Sequence, residues 1–259
     1  MKKKLSVIKI GGSLIEDEKI LDEFLVDFTK LEGLKILVHG GGKLATQLAG
    51  KLGIETKMNE GRRITDAETI KVITMVYGGL VNKTIVAKLQ ANNCNALGLS
   101  GADLNSIQSV KRPVEDIDYG FVGDVEKVNS KMISLLLSNG ISPVFCAITH
   151  DKNGQLLNTN ADTIASEIAI ALSRDFETDL YYCFEKQGVL MDVKDENSVI
   201  EQIDTKSYLK LKEEKIIADG MLPKLHNCFN ALERNVSKVC IGNVKMLNGQ
   251  NQKYTTINL

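Results

Sequence analysis

The sequence predicts an α/β fold whose largely parallel sheet is covered by helices on both faces. Two observations carry this. Short, β-branched apolar runs recur along the chain, and several end in glycine turns that lead straight into amphipathic stretches. Such runs read as strands buried on both sides, and the alternation with helices points to parallel crossovers. Leu5 to Ile10 (LSVIKI) is the first strand, followed by Gly11-Gly12-Ser13 and a helical stretch, Asp17 to Lys30. Leu34 to Val38 (LKILV) is the second, closed by His39 and three glycines before a helix over Lys43 to Leu52. Further strands are expected at Ala96–Leu99, Ser142–Ala147, Leu180–Phe184 and Lys238–Ile241, and helices at Asp66–Gln90, Ser130–Ser138, Asp162–Ser173 and Met221–Glu233. Ser106–Val128, with Gly120 and Gly123 among β-branched residues, reads as a hairpin or meander and not another α/β unit. Met191–Leu211 is polar and acidic and reads as surface decoration.

The 259 residues make one large domain or two small ones, and the three prolines form no linker. One continuous sheet with two lobes is the expected organisation. Lys plus Arg is 32 and Asp plus Glu is 33, a net charge of −1 that offers no bulk attraction to nucleic acid or an anionic membrane. The five cysteines are odd in number, far apart and without a C-x-x-C pair, which fits reduced thiols and a cytoplasmic setting. The three histidines, His39, His150 and His226, form no clustered zinc-type pattern with the cysteines, which argues against a zinc site. The Lys2-Lys3-Lys4 start resembles a signal-peptide n-region, but Lys9 and Gly11-Gly12 interrupt the apolar stretch behind it. No apolar run is expected to span a membrane.

Five constellations carry chemistry. Lys9-Ile10-Gly11-Gly12-Ser13 joins a strand end to a helix start, where glycines admit a phosphate and the lysine offers a point cation. The Walker spacing G-x-x-x-x-G-K-S/T is absent, and a plain tight turn would leave the same sequence. His39-Gly40-Gly41-Gly42-Lys43 offers backbone N–H groups for a carboxylate or a moving phosphoryl group. His39 is expected to pack beneath the loop and not to act as a base. Gly61-Arg62-Arg63-Ile64-Thr65 places an arginine beside a turn, suited to gripping a carboxylate or simply solvated. Asn158-Thr159-Asn160-Ala161-Asp162 enters a helix; Asp162 reads either as its N-cap or as part of a polar fork that orients a substrate and a lysine. Asp219-Gly220-Met221-Leu222-Pro223-Lys224 places a cation on the first turn of a helix, against the helix dipole, which is a mild sign of function.

Taken in this order and spacing, K-x-G-G at Lys9, H-G-G-G at His39, G-x-R-x-T at Gly61, N-x-N-A-D at Asn158 and D-G-M-x-x-K at Asp219 resemble the amino acid kinase family over nearly the whole chain. Within the family the set is most similar to members that phosphorylate the γ-carboxylate of N-acetyl-L-glutamate in arginine synthesis. The resemblance implies a three-layer αβα sandwich around a mostly parallel sheet of about eight strands. It implies that a lobe over residues 1–175 binds the acyl amino acid and one over 176–259 binds ATP, with Mg²⁺ as companion. Lys9 and Lys224 would flank the transferring phosphoryl group and Asp162 would hold both. Gly11, Gly12, Gly41 and Gly42 would donate backbone N–H groups, Arg63 and Asn158 would bind the substrate, and Glu185, Gly188, Ile217 and Ala218 would neighbour the nucleotide. A carboxylate acceptor needs no general base, which agrees with the few histidines.

Departures from the family pattern are informative. Where relatives carry a Ser/Thr-Asp-Val loop, this chain reads Cys183-Phe184-Glu185-Lys186-Gln187-Gly188 with Glu185 at the usual aspartate, and the S-G-x-D-G segment ends in Leu104 instead of glycine. The chain starts almost directly on its first strand, which favours an arginine-insensitive homodimer over a hexamer. Some relatives use N-succinyl substrates, whose extra carboxylate would want a cation such as Lys111 or Arg112; a solvated hairpin pair is the favoured reading of those two. A different amino acid kinase, or a catalytically silent sensor of an amino acid or nucleotide, is the competing reading, but a sensor is expected to have lost Lys9, Asp162 or Lys224 and all three are present.

Overall fold

In the computed structural model, which describes residues 2–59, 61–217, 221–248 and 253–259, the first strand, β1 (Lys4–Ile10), lies near the middle of the sheet. The chain continues through α1 (Gly12–Glu16), α2 (Glu18–Lys30), β2 (Leu34–His39), α3 (Gly42–Lys51), and the small hairpin β3 (Lys57–Asn59) and β4 (Arg62–Ile64). One long helix follows: α4 (Ala67–Ile73), a π-helical segment Thr74–Val81, and α5 (Asn82–Ala91). Then come β5 (Ala96–Leu99), β6 (Ile107–Lys111), β7 (Gly123–Val128), α6 (Ser130–Ser138), β8 (Ser142–Cys146), β9 (Ile148–His150), β10 (Leu156–Asn158) and α7 (Ala161–Leu172). The remainder is β11 (Glu177–Cys183), β12 (Gln202–Ile203), α8 (Thr205–Glu213), α9 (Met221–Glu233), β13 (Lys238–Gly242) and β14 (Thr255–Ile257).

The main sheet has eight strands in the order β12-β14-β13-β11-β1-β2-β8-β5. All neighbours pair parallel except β13 with β14. Helix α2 packs with α5, α7 packs beside α6 and α9, and both groups close on the sheet. The β1–β11 pairing, Lys4 against Glu177 through Ile10 against Cys183, joins the strands of the two expected lobes without a break. β1 and β2 bury Val7, Ile8, Ile10, Ile36, Leu37 and Val38 completely, as parallel strands covered on both sides should. A second sheet, β10-β9-β6-β7, contains the expected hairpin.

Three features differ from the sequence reading. β12, α8 and β14 lie in or after the stretch read as surface decoration; their short or polar sequences carry too little periodicity to announce them. The helix Ala67–Ala91 is long and apolar enough, by length and composition, to cross a bilayer, which the sequence reading did not expect. Ile70, Ile73, Val76, Val81, Ile85 and Leu89 bury one side of it in the core. Finally, Leu104, read above as a departure from the family pattern, stands in the left-handed region at φ 56°.

Candidate active site

The carboxyl ends of β1 and β2 deliver Lys9 and the glycine loop to one cleft of about 440 Å³. Helices α1, α3, α7 and α9 begin there, with Gly12, Gly42, Asp162 and Pro223 on the cleft wall. Helix N-termini carry unpaired N–H groups and partial positive charge, so their convergence makes an anion site before any side chain is counted. Parallel topology causes this, because every crossover helix starts on the same side of the sheet. A larger groove, about 820 Å³, lies at the opposite ends of the strands among Lys2, Glu167, Arg174 and Arg234. It holds none of the five constellations, and its Arg234–Glu167 pair is already closed at 3.2 Å.

Asp162 is the centre of the site. Its Oδ1 lies 2.8 Å from Lys9 Nζ and its Oδ2 lies 2.6 Å from Lys224 Nζ, with the three side chains only 13–17% exposed. Lys224 donates a well-directed hydrogen bond. Lys9 meets Oδ1 as a close charge that makes no well-directed hydrogen bond. Burial pushes the Asp162 carboxyl up, but the two ammonium groups outweigh it and hold the group well below the usual carboxylate range. The N-cap of α7 is Asn160, whose side chain accepts from the N–H groups of Asp162 and Thr163. The capping reading of Asp162 is therefore corrected: Asn160 satisfies the helix end, which frees Asp162 for the lysines. Tyr182, fully buried on β11, supports the cluster by donating to the Asp162 carbonyl at 3.1 Å, with its ring centroid 5.0 Å from Lys224 Nζ.

The glycines divide into two roles. The Gly11 N–H donates to the Cys183 carbonyl at 3.2 Å, continuing the β1–β11 pairing, so it is not free for a phosphoryl oxygen. Gly11 is corrected from ligand donor to strand closure. Gly12, Gly41 and Gly42 line the cleft. Gly41, at φ 155°, caps α3, and a Cβ there would lie 2.9 Å from the Tyr77 ring. His39 is buried with Nδ1 2.8 Å from the Gly40 carbonyl and Nε2 3.0 Å from Asn82 Nδ2. The carbonyl needs a donor and the amide needs an acceptor, which assigns the neutral Nδ1–H tautomer. Burial lowers its pKa to about 4. It packs under the loop, as expected.

Arg63 donates from Nη2 to the Gly42 carbonyl at 2.9 Å and to Thr46 Oγ1 at 2.8 Å, and from Nη1 to Thr56 Oγ1 at 3.3 Å. These bonds fix the guanidinium against the glycine loop, with donors to spare. Asn158 donates to Thr65 Oγ1 at 3.0 Å and shares the cleft. Glu185 is exposed beyond β11, while Gly188 is pressed against Thr255 and Val199 and Ile217 is in the core; none of the three lines this cleft. Ala218, with Asp219 and Gly220, lies outside the described residues.

Sequence reasoning missed Tyr77, Tyr119, Tyr182 and His226, since an isolated aromatic or histidine in a periodic stretch reads as core or surface. Arg112 is also corrected. It is no solvated hairpin residue: it lines the cleft, stacks over Tyr119 and binds Asp124 through Nε at 3.2 Å and Nη2 at 2.6 Å. Lys111 instead sits over the Phe121 ring.

Comparison with known proteins bears on the family and the fold. The sequence profile of the amino acid kinase family matches residues 4–243. The chain is 58% identical to an acetylglutamate kinase of Phocaeicola vulgatus over 241 residues, covering 93% of this chain and 94% of that one. It is 57% identical to an acetylglutamate kinase of Cytophaga hutchinsonii over 239 residues, covering 92% and 90%. Among solved structures, N-acetylglutamate synthase from Neisseria gonorrhoeae superposes with a TM-score of 0.83 at 19% identity, over 99% of this chain and 59% of that one. A carbamate kinase from Giardia superposes at 0.69 and 14% identity, over 99% and 98%. At these identities the two structures speak to the fold alone.

Proposed function

The chain belongs to the amino acid kinase family, and on that premise we propose that it transfers the γ-phosphoryl group of ATP to the γ-carboxylate of N-acetyl-L-glutamate, forming N-acetyl-L-glutamyl 5-phosphate for arginine synthesis. The observation that carries this reading is the Lys9–Asp162–Lys224 bridge between two glycine loops at the convergence of four helix N-termini. The lobe of residues 1–175 takes the acyl amino acid, with Arg63 and Asn158 on its carboxylate and polar groups. The lobe of residues 176–259 takes the nucleotide, with Glu185 exposed beyond β11.

Phosphoryl transfer asks mainly for positioning and charge stabilisation. The acceptor carboxylate is ionised at neutral pH, so no side chain has to remove a proton. Lys9 and Lys224 stand on either side of the phosphoryl path and follow charge from the attacking to the leaving oxygen. Asp162 sets their spacing, and the N–H groups of Gly12, Gly41 and Gly42 hold the reacting oxygens. Among the described residues no three His, Cys, Asp or Glu side chains converge on a metal position, and Asp162 is committed to two lysines. We read magnesium as arriving with ATP, where the phosphates and water would hold it and it would neutralise phosphate charge.

Arg112 on the cleft wall supports a second reading, N-succinyl-L-glutamate as the acceptor. Its two-pronged bond to Asp124 already balances its charge, which favours the acetyl compound. We further read the protein as a homodimer in a reducing cytoplasm: Met75 and Leu80 stand exposed on the long apolar helix, β5 ends the sheet on an open edge, and all five cysteines are buried free thiols. Light scattering of the purified protein tests the dimer.

The deciding assay is ADP release from Mg-ATP with N-acetyl-L-glutamate, N-succinyl-L-glutamate and unmodified L-glutamate, with hydroxylamine present to trap an acyl phosphate as its hydroxamate. Turnover of an acyl compound with hydroxamate formation supports the reading, and the better substrate identifies the acyl group. Absence of turnover on all three would leave a non-catalytic binder.

A further inference from the structure

Tyr77 has no role in the phosphoryl-transfer scheme, yet it stands on the wall of the cleft with Arg63 and Asn158. It belongs to the π-helical segment Thr74–Val81, set between two α-helical stretches of one helix. A π turn advances less per residue than an α turn, so it redirects the side chains it carries, and such turns concentrate at functional sites. Here the redirection lays the Tyr77 ring against Gly41, where a Cβ would come within 2.9 Å of it, and brings the hydroxyl to 3.7 Å from the Cβ position of Gly42. Arg63 Nη2 is 3.9 Å from that same position, so phenol and guanidinium meet over one glycine.

The chemistry of this pair is asymmetric. A guanidinium only donates, so any contact of Arg63 with the phenol uses its oxygen and leaves the phenolic proton free for another acceptor. None of the hydrogen bonds among the described residues employs that proton, although Tyr77 is only 5% exposed. Burial raises the pKa of the phenol, with Arg63 opposing that shift, so the group stays protonated at neutral pH. A buried O–H donor beside a fixed cation, at a cleft wall, is suited to an anionic oxygen.

We propose that Tyr77 is a substrate-binding and specificity residue, its hydroxyl donating to the same α-carboxylate that Arg63 holds. This rests on the assignment of the cleft to an N-acyl-glutamate. The ring has a second duty, holding Gly41 in its conformation, so removal of the hydroxyl and removal of the ring have different consequences.

The test compares wild type, Tyr77→Phe and Tyr77→Leu in steady-state kinetics with the N-acyl-L-glutamate turned over and with its α-amide. A hydrogen bond to a charged group is worth on the order of tenfold or more in affinity. Tyr77→Phe is expected to raise KM for the acid about tenfold, to leave kcat and the KM for ATP within about threefold, and to keep the melting temperature. Wild type should prefer the acid over the α-amide, and Tyr77→Phe should lose about tenfold of that preference. Tyr77→Leu should lower kcat as well, through the glycine loop. A merely structural tyrosine would weaken acid and amide alike, so unchanged acid-over-amide preference in Tyr77→Phe overturns the proposal. If Arg63→Ala raises KM for the acid while Tyr77→Phe does not, the proposal fails and the reading of the cleft stands. If wild type neither binds nor turns over an acyl-glutamate, the reading fails and takes the proposal with it.

Discussion

Replacing Asp162 by asparagine keeps the shape of the site and removes one charge from between two ammonium groups. With N···O distances of 2.8 Å to Lys9 and 2.6 Å to Lys224, each pair is worth roughly 6 kcal/mol of direct attraction at an effective dielectric near 20. Much of that is offset by the cost of burying the ions. The net penalty for breaking a buried pair from one side is about 3–5 kcal/mol. In a domain of this size that corresponds to a melting temperature lower by about 10 °C. Activity should fall further, because the lysines repel each other across a neutral amide and leave the phosphoryl path; a loss on the order of 10²–10³-fold in kcat is expected. Denaturant melts at pH 7 and at low pH, with ADP-release kinetics at pH 7, measure both effects. The sign of the pH dependence follows from the depressed carboxyl of the folded state. Its stabilisation is present above the unfolded value of about 4 and is lost as pH falls toward the folded value. The gap between wild type and Asp162→Asn should therefore shrink below pH 4. A variant within 1 kcal/mol of wild type at pH 7, with a parallel pH profile, would refute the claim that Asp162 holds the lysines by charge.

Other outcomes follow from the same structure. Gly41→Ala combines a φ of 155° with a Cβ 2.9 Å from the Tyr77 ring, so a loss of about 1–3 kcal/mol is expected together with strongly reduced turnover; thermal melts and kinetics on the same sample check it. His39, neutral in the fold with a pKa of about 4 against 6.5 when unfolded, should make the protein lose stability as pH drops below about 6.5, by about 2 kcal/mol at pH 5. Urea melts of wild type and His39→Gln at pH 7.5 and 5 should show this slope in wild type and not in the variant. Leu104→Gly should relieve a left-handed backbone at an exposed position and raise stability by about 0.5–1 kcal/mol, read from the denaturation midpoint. A lower midpoint would mean that Leu104 packs usefully despite its exposure.

Much of the site was legible because its residues sit in loops whose composition serves no purpose in packing. Three glycines after His39, or a lysine on the first turn of α9, conflict with local preference, and the conflict marks function. Asp162 was legible as a residue, and its role as holder of Lys9 and Lys224 came from the family resemblance, not from local pattern. An aspartate at a helix start reads as a cap until the structure shows Asn160 capping and Asp162 turned to Lys9 and Lys224. Gly11 was misread for the same reason: whether a glycine N–H is free depends on the neighbouring strand, and β11 supplies Cys183 to bind it. Tyr77 gave no local sign, because its place depends on a π turn, and Arg112 was singled out but read as solvated, because its partner Asp124 lies twelve residues away.

By itself the sequence determined the layered α/β plan, the order of its principal strands and helices, and the residues that conflict with local preference. These depend on the period of apolar side chains and on backbone chemistry within a few residues of each turn. Tertiary structure alone decided which N–H groups stay free, at what distances and how deeply Asp162 meets its lysines, and which aromatic rings face the cleft. Those outcomes depend on contacts such as Asp162 with Lys224 and Asn82 with His39, between segments far apart in the chain, whose geometry is set only when the strands take their places in the sheet.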